Sequence, residues 1–107
     1  MKMTKEEVLQ ATLRYLLKND RTQLGAIRHN IEEILKSRGE AGEITTRGIG
    51  FTSTSYVRMS DTVAMLVNEV IYDLISERIL TPGIDASNLE LPFISVTNKE
   101  KINTFLR

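Results

Sequence analysis

His29 is the single histidine of the chain, and there is no cysteine. A bound zinc needs three or four imidazole, thiolate or carboxylate groups converging on one point, so a lone imidazole beside an apolar helical stripe reads as a surface or core-edge side chain, and no metal site is expected. Glu6-Glu7 and Glu32-Glu33 are adjacent carboxylates. Consecutive helical positions diverge by about 100 degrees, so neither pair can face one substrate as acid and base. Arg47-Gly48-Ile49-Gly50-Phe51 holds two glycines but lacks the later lysine and hydroxyl of a phosphate-binding loop. No serine has a histidine and an acid arranged to activate it. The reading is therefore non-enzymatic, without cofactor.

What remains is recognition chemistry. Arg47 and Arg58 bracket a stretch free of acidic residues, in which Thr52, Ser53, Thr54 and Ser55 offer hydroxyls able to reach phosphate and Tyr56 offers a stacking ring. Lys99, Lys101 and Arg107 add positive charge near the end of the chain. These two segments make a cationic surface only if the fold brings them together, because two isolated arginines supply too few phosphate contacts for a strongly salt-dependent affinity.

The elements that would carry these residues follow from pattern. A chain of 107 residues with 41% hydrophobic content suits one domain spanning residues 1–107 rather than two. Its 14 basic and 14 acidic residues cancel, so no net field draws it to nucleic acid or membrane. No apolar run approaches the ~20 residues of a membrane span, and the charged start is unlike a signal peptide, so a soluble cytoplasmic protein is expected. Thr4 and Glu7 form a capping-box pair that starts a first helix near Lys5, ended at Asn19-Asp20. Asp20 or Thr22 is placed to cap a second helix, whose Leu24, Ile27, Ile31, Ile34 and Leu35 make one stripe, with Gly39 as a left-handed cap after it. From Glu40 to Met59 the helical period vanishes and glycine, serine and threonine dominate, which reads as a long loop with a short strand as the lesser alternative. Ser60 caps a third helix with a wide face of Val63, Leu66, Val67, Val70, Ile71 and Leu74. Ile79-Leu80 and Leu91 to Thr97 then read as two strands separated by turn residues.

The run Ile71-Tyr72-Asp73-Leu74-Ile75-Ser76-Glu77-Arg78-Ile79-Leu80-Thr81-Pro82-Gly83, followed by Pro92-Phe93-Ile94-Ser95-Val96-Thr97, resembles winged-helix domains of bacterial transcription factors and of the N-terminal regions of restriction-related proteins. Such domains often carry a glycine three residues after the threonine that closes the ribbon; Glu100 stands there instead. The resemblance implies an α+β, winged-helix-like fold with three helices and a C-terminal two-stranded antiparallel ribbon. It also implies that the third helix is a recognition helix and residues 84–90 a wing. Double-stranded DNA would then meet the backbone-contacting Arg47, Arg58, Ser53, Thr54 and Ser55, with limited base contact from Ser60, Thr62 and Asn68. Charge opposes that use, since six carboxylates between Asp61 and Val96 face Arg78 alone. The alternative expectation is a protein-interaction or dimerisation module on the same scaffold, with Tyr72 exposed near Glu69 and Asp73 as its anchor.

Overall fold

Thr4 opens the structure. Its hydroxyl accepts from the Glu7 amide and the Glu7 carboxylate accepts from the Thr4 amide, both at 3.1 Å, so two orphan donors at the start of α1 (Lys5–Lys18) are satisfied reciprocally. The computed structural model describes residues 3–39, 42–48, 51–57 and 59–107, with side chains described outside the strands at 42–48 and 51–57. Along the chain α1 is followed by β1 (Arg21–Gln23), α2 (Leu24–Ser37), β2 (Gly42–Gly48), β3 (Phe51–Val57), α3 (Asp61–Ser76), β4 (Leu80–Pro82), β5 (Phe93–Val96) and α4 (Lys99–Phe105).

The helical stripes close on one interior. Val8, Leu13 and Leu16 of α1 meet Ile27 and Ile31 of α2 and Val67, Val70 and Ile71 of α3, all at most 1% exposed. Each such side chain stabilises the fold by about 1.5–3 kcal/mol relative to exposure, so the core is where most of the stability arises. Ser60 caps α3 by accepting from the Val63 amide at 3.3 Å, and Gly39 follows α2 with a φ of 72° and its amide on the Lys36 carbonyl. These caps fall where the residue types place them.

Four expectations are corrected. The ribbon is not two-stranded: β4 and β5 do pair antiparallel, with Leu80 opposite Val96, but β1 joins the other edge of β5, with Arg21 opposite Ser95, giving a three-stranded sheet in the order β1-β5-β4. Consequently neither Asp20 nor Thr22 caps α2. Gln23 occupies the cap position without a side-chain bond, and the free Leu24 amide donates to the Pro92 carbonyl at 2.9 Å, so the sheet satisfies what a cap would have.

The expected long loop contains two strands. β2 and β3 pair antiparallel over seven residues each, from Gly42 opposite Val57 to Gly48 opposite Phe51. Threonine and the aromatic and β-branched residues interleaved with serine favour a pleated backbone. A seven-residue strand is about 23 Å long. Outside its own ladder this hairpin makes its substantial contacts with α2, and the molecule measures 58 × 32 × 22 Å. The radius of gyration of 16.3 Å exceeds the roughly 13 Å of a compact chain of this length. An arm standing off a globular body has that shape.

Finally, among the described residues there are four helices, not three. Ile102 of α4 is fully buried in the shared core, and the Asn98 side chain caps the helix by accepting from the Lys101 amide at 3.0 Å. Gln10 of α1 fastens its end: the amide group donates to the Phe105 carbonyl at 2.8 Å and accepts from the Arg107 amide at 2.9 Å. The molecule is thus mixed α+β, and among the described residues no helix is long and apolar enough to cross a membrane.

Candidate interaction site

The exposed side of α3 is built by subtraction. Val63, Val67, Val70, Ile71 and Leu74 turn inward, which leaves Thr62, Met65, Glu69, Tyr72 and Ser76 outward at spacings of three and four. Met65 is 61% exposed and Tyr72 56% exposed. Seven helical residues make almost two turns, so these two side chains share an azimuth and stand about 10 Å apart along the axis. Large apolar groups so placed have no core to fill.

Charge on this helix is divided between its ends. Lys5 of α1 reaches Asp73 at 2.9 Å, and Lys101 of α4 reaches the Glu77 carboxylate at 3.3 Å and its carbonyl at 2.6 Å. The hydrogen bond that Lys5 donates to Asp73 holds its ammonium above its ordinary value, with the nearby Glu69 charge adding to it. Two of the four carboxylates that weigh against α3 as a DNA-facing element are therefore matched by cations from elements distant in sequence. Asp61 and Glu69 have no ion-pair partner among the described residues. At the start of α1, the Thr4 amide and then Arg38, 2.7 Å away, pull Glu7 below the usual glutamate range.

The eight residues expected to contact nucleic acid do not form one described constellation. Ser60 uses its hydroxyl as the α3 cap. Thr62 is exposed in the first turn of α3. Asn68, one turn further on, accepts through Oδ1 from Arg28 of α2 at 2.9 Å, so it ties two helices together. Arg28 was not among the expected site residues, and its spacing from Asn68 carries no signal in sequence. Arg47 and Thr54 lie on one face of the β2–β3 ladder by register, Ser53 and Ser55 on the other; Arg58 lies outside the described residues. The C-terminal cations expected to join them belong to α4 and its end, where Lys101 pairs with Glu77 and Arg107 approaches Glu6 at 3.3 Å.

His29 is 71% exposed at 3.8 Å from Glu33 on its own helix. Among the described residues no group of three or more histidine, aspartate or glutamate side chains is arranged to hold a metal. The connection between β4 and β5 is organised by Asp85, whose carboxylate accepts from the Ser87 amide at 2.9 Å and the Asn88 side chain at 3.1 Å, and it presents Leu89 to solvent at 66% exposure. Comparison with known protein families, curated proteins and solved structures finds no match to this chain.

Proposed function

We propose that the chain is a winged-helix-like domain that works as a dimerisation module, with the exposed side of α3 packing on α3 of a second copy. The order α1-β1-α2-α3-β4-β5 and the sheet order β1-β5-β4 support the winged-helix reading, the β2–β3 arm being inserted between the second and third helices. The observation that carries the functional reading is the pair Met65 and Tyr72, exposed on one azimuth of the helix that such a scaffold turns outward. Methionine and aromatic side chains supply large contact area at the centre of interfaces. In a two-fold contact each contribution counts twice. The zero net charge removes the long-range repulsion that keeps copies apart.

Double-stranded DNA fits this helix less well. Asp61 and Glu69 are exposed and make no ion pair among the described residues, and two of the three polar groups expected to contact bases are used in holding the fold. Sedimentation equilibrium over a wide concentration range tests the proposal. The native chain should self-associate, and Met65→Ser with Tyr72→Ser should weaken association by about tenfold or more, the loss of roughly 1.4 kcal/mol or more. A native chain that stays monomeric throughout overturns it. Titration of labelled duplex DNA at several salt concentrations completes the test, because salt-dependent binding by the monomer would favour the nucleic-acid reading.

A further inference from the structure

Between α1 and α2 lies an open cleft of about 300 Å³. Its floor is Ala11 and Ile34, and its rim carries Arg14, Lys18, Asn19 and Asn30. Arg14 and Lys18 are four residues apart on α1, so both side chains rise from the same face. Most other cations with described side chains near the core helices are spent: Lys5 on Asp73, Arg38 on Glu7, Lys101 on Glu77 and Arg107 on Glu6. Arg14 and Lys18 have no carboxylate partner among the described residues. The cleft lining also contains no aspartate or glutamate; Arg14 stands at the boundary with a neighbouring groove that holds Glu6 and Glu7, where Arg38 already pairs with Glu7. Asp20, the nearest acid in sequence, lies outside the lining. The Asn19 amide is occupied with the Tyr15 carbonyl at 3.0 Å, whereas the half-buried Asn30 has no described side-chain hydrogen bond.

We infer that this cleft binds a phosphate group. Three kinds of donor line it, with no carboxylate among its lining residues: a guanidinium, whose planar fork matches two phosphate oxygens, an ammonium that supplies a second point charge, and a neutral amide from the facing helix. Chloride offers a single spherical acceptor and lacks the paired oxygens that match the guanidinium fork. The phosphate belongs either to a small monoester or to a nucleic-acid backbone, and both present the same oxygens. The cleft shares no lining residue with the exposed face of α3, so the inference stands apart from the dimerisation reading.

The test is a titration of the full chain, followed through the Asn30 side-chain amide and the Arg14 guanidinium by nuclear magnetic resonance. Inorganic phosphate is compared with chloride at matched ionic strength, and with a ten-residue oligothymidylate. Saturable shifts at both groups with phosphate and not with chloride are expected. Because both cations are exposed, Arg14→Gln with Lys18→Gln should keep the native melting temperature while weakening binding by about tenfold or more. Lys99→Gln removes one unit charge from α4, the same as either single substitution in the cleft, and should change affinity less than twofold. Tighter binding of the oligonucleotide on the same groups assigns the phosphate to a backbone; equal affinity per phosphate assigns it to a monoester. Shifts that never saturate, or an equal loss in Lys99→Gln, would overturn the inference.

Discussion

Thr12 sits in α1 with its side chain fully buried, and its hydroxyl finds no hydrogen-bond partner among the described residues. A buried hydroxyl left unpaired forfeits the bonds it made to water. Replacing it with a methyl group in Thr12→Val should therefore raise stability by roughly 1 kcal/mol, seen as a melting temperature higher by about 4–8 °C for a domain of this size. A lower melting temperature would show that the hydroxyl is satisfied after all. Single residues with strong local chemistry were the most legible part of the chain. Thr4 with Glu7, Gly39 and Ser60 act within four residues of themselves, so their neighbours in sequence are their partners. Asn68 and Lys101 were illegible for the opposite reason, because Arg28 lies 40 positions away and Glu77 lies 24. Polar residues that looked free to meet a ligand turn out to hold helices together.

Among the elements, the β4–β5 turn depends on one residue. Gly83 has a φ of 99°, and a Cβ placed on it would stand 2.8 Å from the Leu89 carbonyl oxygen. Its amide closes the ladder on the Phe93 carbonyl at 2.7 Å. Gly83→Ala should cost about 1–3 kcal/mol through backbone strain and the backbone shift it forces, measured by denaturant titration; a change below a few tenths would mean that the turn relaxes freely. Element type was legible wherever apolar residues recurred at a steady period, as in α1, α2 and α3. It failed where an element exists only by docking. Arg21-Thr22-Gln23 has no apolar pattern and becomes a strand because β5 offers it a ladder. The seven residues of α4 are too few to form a helix alone, and Ile102 is their one buried side chain. The hairpin was hidden by serine and threonine, which suit loops and pleated strands alike, so composition could not separate them.

At the scale of the whole molecule, body and arm divide the length between them. The arm meets the body chiefly at α2, and Gly42 pairs with Val57 at its base, so the two ends of the excursion are already neighbours. Removing residues 42–57 and joining the ends with two glycines should leave cooperative thermal unfolding, with a melting temperature within about 5 °C of the parent chain. Loss of cooperativity would mean that the arm is integral to the core. The same variant separates the two surfaces proposed above from any contribution of the arm, because neither α3 nor the α1–α2 cleft includes it.

Gln10 holds Phe105 and Arg107 against the first helix, and Arg107 also lies 3.3 Å from Glu6. Residues about a hundred positions apart are therefore next-door neighbours, and a peptide of a few residues bridges them at small entropic cost. The order of segments along the backbone is in this sense interchangeable: a circular permutant, ligated at that clasp and opened elsewhere on the surface, would ask the same core to assemble from a different starting point.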